Sequence, residues 1–271
     1  MQHMIVLDLD GSLLNDQGEI SDRTKYVVRR LIKDGHIVVI ATGRPFSGAY
    51  PKYKELGLDT PLITDNGGSI QNPMDSSFPK QRTYIPLPIV HDLFRFAKPH
   101  ITSTFFSVDD VVYAYNYDAR LQAFFSGVED REVVEKPFTE LKIEPMGMVF
   151  LIRIGKQKLF ENYIDSKHDK TLSYRLWGVD HRHAVYEVYL KHISKSSAIE
   201  YLIERFGIGY EQVIAFGDGV NDVEMLRDAH LGVAMKNGCE EAIEAAKDIT
   251  THANHEDGIA RYLIRHFALD I

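Results

Sequence analysis

Short unbroken apolar runs alternate with helical stripes at both ends of this chain. Residues 4–9 form the first run, stopped by Asp8-Leu9-Asp10-Gly11, and read as a strand entering a turn. Ser21 then opens a helix whose Val27, Val28, Leu31 and Ile32 share one face, and Gly35 closes it. Residues 37–41 are apolar, mostly β-branched and without alternation, the pattern of a strand covered on both faces in a parallel sheet. Together these segments predict a βαβ unit. Residues 61–64 predict a third strand. The far end repeats the style, with a helix over 195–206 ended by Gly207 and a strand over 213–216. A helix over 220–229, a strand over 231–235 and a helix over 237–247 follow, the last with Asn237 and Glu240 spaced as a capping box. A final helix is expected over 257–267.

Between about residues 84 and 190 the texture changes. Strands over 102–107, 111–115, 146–154 and 185–190 are rich in Tyr, Phe and Thr and partly alternate. Amphipathic helices over 88–97 and 156–167 lie between them. Paired strands with helices predict an α+β unit on an antiparallel sheet. The expected organisation is an α/β core built from 1–83 and 191–271, with an α+β domain inserted over 84–190.

Composition narrows the function classes. The 271 residues are 44% hydrophobic, enough for one large core or a core with a smaller companion. A formal net charge of −8 disfavours a nucleic-acid partner, which needs a basic face. No apolar run reaches the roughly 20 residues of a membrane span, and no signal peptide is visible. The single cysteine, Cys239, excludes an internal disulfide or a Cys-based zinc site. A cytoplasmic protein without a membrane partner, monomeric or weakly dimeric, is expected.

The polar residues at the strand ends carry the chemistry. Asp8 and Asp10 follow the first predicted strand, Thr42-Gly43-Arg44 the second, Asn66-Gly67 the third, and Gly217-Asp218-Gly219 a later one. In an open parallel sheet, ligands bind beyond the carboxyl ends of the strands, so these segments are expected to converge. Asp8, Asp10 and Asp218 would repel one another unless a cation sits among them, and oxygen-only ligands suit Mg²⁺. Asp8 is then a candidate nucleophile. Thr42 and Gly43 offer a hydroxyl and backbone N–H groups to an anion, and Arg44 a guanidinium. Lys195, at a helix start, is placed against the dipole and is a candidate for neutralising a phosphoryl oxygen. Asn221 and Asp222 are expected in the first turn of the helix after Asp218.

Taken together, Asp8-Leu9-Asp10-Gly11-Ser12-Leu13, Ala41-Thr42-Gly43-Arg44, Lys195 and Gly217-Asp218-Gly219-Val220-Asn221-Asp222 resemble the four ordered motifs of the haloacid dehalogenase-like superfamily. Asp65-Asn66-Gly67-Gly68, and the tail from Gly232-Val233-Ala234-Met235 to Asp257-Gly258, are similar to its Cof-type (type IIB) phosphatases. The resemblance implies a Rossmann-like core with an inserted cap, and Mg²⁺-dependent hydrolysis of small phosphorylated metabolites. Sugar phosphates, pyridoxal phosphate and flavin mononucleotide are the implied candidates. It implies Asp8 as nucleophile and Asp10 as acid and base. Asp8, the backbone carbonyl of Asp10 and Asp218 would be metal ligands. Thr42 and Lys195 would hold the phosphoryl oxygens, with Leu9, Gly43 and Asn221 contributing, Arg44 and Asn66 completing the binding set, and Asp222 orienting Lys195 or metal-bound water. One departure is Ser196, where family members often carry Gly after the motif lysine. A phosphomutase with the same nucleophile and a phospho-acceptor signalling module remain alternatives.

Overall fold

The structure is a computed structural model that describes residues 1–109, 111–118 and 132–270. The first part of the chain forms β1 (Met4–Leu7), α1 (Asp22–Lys33), β2 (Ile37–Ala41), α2 (Phe46–Leu56), β3 (Leu62–Thr64), β4 (Ser69–Gln71) and β5 (Gln81–Arg82). The middle forms α3 (Leu87–Ala97), β6 (Ile101–Val108), β7 (Val111–Tyr115), β8 (Glu132–Glu135), β9 (Gly147–Arg153), α4 (Gln157–Lys167), β10 (Leu172–Val179) and β11 (His183–Leu190). The last part forms α5 (Lys195–Phe206), β12 (Val213–Gly217), α6 (Val223–Asp228), β13 (Leu231–Ala234), α7 (Glu240–Ala245), β14 (Asp248–Ile249) and α8 (Gly258–His266). The chain divides into two compact units, Met1–Gly43 with Ala49–Gln81 and Ser194–Ile271, and Arg44–Gly48 with Arg82–Ile193.

The first unit is built on a sheet of order β14-β13-β12-β1-β2-β3-β4-β5. β1 pairs in parallel with β2 and with β12, and only the β3–β4 pair of those described is antiparallel. Successive strands run to one side from β1 through β2 and β3, and to the other from β12 through β13 and β14. The order therefore reverses between β1 and β12, where an open α/β sheet leaves a crevice at its carboxyl ends. Every residue of β1 is buried, as an apolar run without alternation requires. Met4, Val6, Val39, Ile63, Val213 and Ala215 pack with Ala198, Ile199 and Leu202 of α5 and Met225 of α6. α1 starts where its sequence says: the Ser21 side chain accepts from the Thr24 N–H at 3.1 Å.

The second unit carries a sheet of order β10-β11-β9-β6-β7-β8. Val90, Leu93 and Phe94 of α3, with Phe160 and Ile164 of α4, bury against Phe106, Met148, Phe150, Tyr186 and Val188. The pairs from β10 through β7 are antiparallel, but β7 and β8 pair in parallel, which the expected antiparallel sheet lacked. The overall class is the expected one, a parallel α/β core with an α+β unit.

Two helices are shorter than the pattern suggests. The segment before α6 is a turn, closed by the Asp222 N–H donating to the Gly219 carbonyl, so Asp222 and Asn221 both precede the helix, and the Asp222 side chain makes no hydrogen bond into it. α7 starts at Glu240 rather than Asn237, and the Asn237–Glu240 capping box is absent. The Asn237 side chain works elsewhere, donating to the Gly11 carbonyl at 2.8 Å and accepting from the Asn254 N–H at 2.9 Å. Among the described residues no helix is long and apolar enough to cross a membrane.

Candidate active site

The turn over Leu9–Leu13 begins directly after Asp8, whose N–H still follows the sheet and donates to the Phe216 carbonyl at 3.1 Å. The chain reverses because the Leu13 N–H donates to the Asp8 carbonyl and the Leu14 N–H to the Leu9 carbonyl. Gly11 makes this possible, with φ of +73°; a Cβ there would lie 2.2 Å from Asp218 Oδ2. Leu9 is buried in the turn, whereas the Asp10 side chain is exposed. Ser12 returns inward, and its hydroxyl donates to Asp218 Oδ1 at 2.7 Å.

Lys195 begins α5. Ser194 and Ser197 cap that helix reciprocally, the Ser197 N–H donating to Ser194 Oγ at 3.1 Å and the Ser194 N–H to Ser197 Oγ at 3.0 Å. The lysine is 1% exposed. A buried ammonium at a helix N-terminus requires strong compensation. Lys195 Nζ donates to Asp8 Oδ1 and to Asp222 Oδ1, each at 2.6 Å. Burial opposes the charged amine, but Asp222 and Asp8 outweigh that and hold its pKa above the ordinary lysine value. Ser196, at the position of the expected glycine, donates to Asp228 Oδ2 at 2.8 Å and so links α5 to the end of α6.

Oxygen atoms of Asp8, Asp218 and Asp222 lie within 4.8 Å of one another. Their roles separate on hydrogen bonding. Asp222 is engaged on both oxygens, because its Oδ1 meets Lys195 and its Oδ2 accepts from the N–H groups of Asp218 and Gly219, each at 3.0 Å. Asp8 and Asp218 each keep one oxygen that accepts no hydrogen bond among the described residues. Burial, then the neighbouring Asp222 and Asp218 charges, push the Asp8 carboxyl well above the usual range against the pull of Lys195. Burial also pushes Asp218 up to about 6, with Ser12 pulling the other way and Asp222 adding to the rise. One ammonium against three carboxylates leaves excess negative charge, which a proton or a hard cation relieves. The free oxygens of Asp8 and Asp218 fit such a cation; Asp222, occupied on both sides, fits a support instead.

The other expected residues are placed as follows. Thr42 is buried, its N–H donating to the Ile63 carbonyl at 3.0 Å. Gly43 leaves room for Asn66, whose Oδ1 a Cβ would approach to 3.0 Å. Asn66 is buried, and Asn221 Nδ2 donates to its Oδ1 at 3.0 Å, so that carbonyl is engaged by protein. Arg44 groups with the second unit and donates from Nη1 to the Gly48 carbonyl at 3.3 Å. The sequence reading gave Ser12 no role and missed the Asn66–Asn221 link. A hydroxyl four residues after Asp8, inside a turn that reverses on itself, is the only sequence signal for Ser12.

Residues 5–263 match the haloacid dehalogenase-like hydrolases. The chain is 32% identical to the 5-amino-6-(5-phospho-D-ribitylamino)uracil phosphatase YitU of Bacillus subtilis, over 98% of each. A second Bacillus subtilis phosphatase of that description, YcsE, is 29% identical over 98% of this chain and 96% of its own. Among solved structures, a haloacid dehalogenase-like hydrolase from Bacteroides thetaiotaomicron superposes with a TM-score of 0.81 at 28% identity, covering 98% of this chain and 100% of its own. The subclass IIB sugar phosphatase BT4131 gives 0.80 at 25% identity, covering 98% of this chain and 99% of its own. With these likenesses spanning almost its whole length, the chain belongs to the haloacid dehalogenase-like hydrolases and is a phosphatase of their Cof-type, subclass IIB branch.

Proposed function

We propose that this phosphatase hydrolyses small phosphorylated metabolites, with Mg²⁺ as cofactor and Asp8 as the phosphoryl acceptor. The observation that carries the reading is the buried Lys195 ammonium bridging Asp8 and Asp222 at 2.6 Å beside Asp218. The Asp8 carboxylate attacks phosphorus while the ester oxygen leaves with a proton from Asp10. Asp10 then takes a proton from water, which releases phosphate and restores Asp8. Lys195 has three donors and gives two to carboxylates, which leaves one for a phosphoryl oxygen. Thr42 supplies its hydroxyl, and Leu9, Gly43 and Asn221 supply further donors. Asp222 holds Lys195 in place. Asp8, Asp218 and the backbone carbonyl of Asp10 would hold Mg²⁺, which when bound neutralises charge on the phosphoryl group.

Sugar phosphates, pyridoxal phosphate, flavin mononucleotide and 5-amino-6-(5-phospho-D-ribitylamino)uracil are the substrates to test, the last because it names the phosphatase 32% identical to this chain. A screen of these esters with and without Mg²⁺, read as free phosphate, is the experiment. Phosphate release that needs Mg²⁺ and disappears in Asp8→Asn is expected. Near-wild-type release by that variant would end the proposal, and transfer to a second substrate hydroxyl without free phosphate would make the chain a mutase.

A further inference from the structure

The loops bearing Thr42, Lys195 and Asn221 all meet a turn that carries none of the acid or amine chemistry. In Asp65–Gly67, three successive residues are left-handed, with φ of 53° at Asp65, 54° at Asn66 and 98° at Gly67. Asn and Asp tolerate this region better than other side chains, yet two in succession are costly and persist only where the surroundings fix them. The surroundings do so here. The Asn66 N–H donates to the Thr42 carbonyl at 3.1 Å, and its Oδ1 accepts from Asn221 Nδ2 at 3.0 Å. A Cβ on Gly67 would lie 2.2 Å from the Ser194 carbonyl oxygen and 3.2 Å from the Lys195 nitrogen, so the start of α5 rests directly on this turn. Asn66 is 7% exposed.

We propose that Asn66 is a positioning residue for the phosphoryl-binding loops. Its side-chain carbonyl fixes the orientation of the Asn221 amide, its backbone fixes the Thr42 loop, and the turn sets the distance of both from Lys195. Asn66 therefore acts through Thr42 and Asn221. The inference rests on the phosphatase reading. Because Asn66 serves the phosphoryl end, its loss affects every ester alike, whatever the leaving group.

The test compares Asn66→Gly, which keeps the left-handed backbone without strain, with Asn221→Ala and the double variant. Three quantities are read: kcat and KM on a sugar phosphate and on para-nitrophenyl phosphate, binding of inorganic phosphate by calorimetry, and melting temperature. Asn66→Gly is expected to melt within a few degrees of wild type and to lose about tenfold or more in kcat/KM, through both kcat and KM and equally on both esters. Phosphate binding weakens in parallel. The double variant is no more than about twofold worse than Asn221→Ala, since the two act as one unit. Wild-type kinetics in Asn66→Gly, or losses that add, would overturn the proposal. If Asn66→Gly does not fold, Asn66→Ala, which deletes the same side-chain carbonyl and keeps a Cβ, takes its place: unchanged kinetics and phosphate binding there also overturn the proposal. A wild-type chain that binds phosphate but cleaves no ester defeats the phosphatase reading alone, and the binding comparison still judges Asn66. A wild-type chain that binds no phosphate defeats the positioning role.

Discussion

Asp8, Lys195 and Asp218 are held by charge balance, so single substitutions there have predictable signs. Asp8→Asn removes the nucleophile, and phosphate release should fall by at least about 10⁴-fold. The same change removes one of three crowded carboxylates, whose charge burial and the neighbouring Asp222 and Asp218 disfavour. In the absence of divalent cation the variant should melt no lower than wild type at pH 7.5. Lys195→Met leaves two buried carboxylates without their ammonium and should cost about 3–5 kcal/mol in denaturant unfolding. That loss should shrink as pH falls and the carboxylates take up protons. Asp218 reaches about 6 in the folded chain, above its unfolded value. A raised carboxylate contributes stability below the unfolded pKa and loses it as pH climbs through the folded one. The cation-free protein should therefore lose stability between about pH 4 and pH 6 by an amount that Asp218→Asn abolishes. Mg²⁺ should raise the melting temperature more at pH 7.5 than at pH 4.5.

Single elements reach the site through their ends. α5 places Lys195 in its first turn, so its cap has both a structural and a functional effect. Ser194→Ala removes one half of the reciprocal Ser194–Ser197 pair and should cost about 1 kcal/mol in chemical denaturation. KM for phosphate esters should rise with it, because the turn that aims the ammonium loosens. The hydroxyl of Ser196 on Asp228 ties α5 to α6, a bond that a glycine at that position lacks. α6 and α7 show where local pattern misleads. Apolar spacing extended both helices towards their N-termini, but Asp222 is spent on capping the Gly217–Gly219 loop, and Asn237 on bracing Gly11 and Asn254. A polar side chain committed to backbone groups outside the helix cannot also cap it.

The whole first unit depends on chain segments from both ends. β1 has β2 on one side and β12 on the other, and the site lies at the break between the two strand series. A fragment of residues 1–193 lacks β12 and leaves the fully apolar β1 as an open edge. It should aggregate on light scattering, since an exposed flat apolar edge recruits further strands. A fragment that stays monomeric in solution would contradict this account.

The amino-acid sequence by itself determined the type of the strands and helices it placed, though not α2 or β10, together with the interruption of a parallel α/β pattern by an α+β stretch and the strand-end acids, because hydrophobic period and turn residues are local quantities. It also marked Lys195 as out of place at a helix start. The tertiary structure alone decided which oxygens remain open. Asp222, Asp218 and Asp8 look equivalent as letters, but the N–H groups of the 218–219 loop, Ser12 and Lys195 occupy some of their lone pairs and leave others. The tie between Asn66 and Asn221 is likewise invisible in one dimension, since it joins two loops brought together only by the order of strands in the sheet.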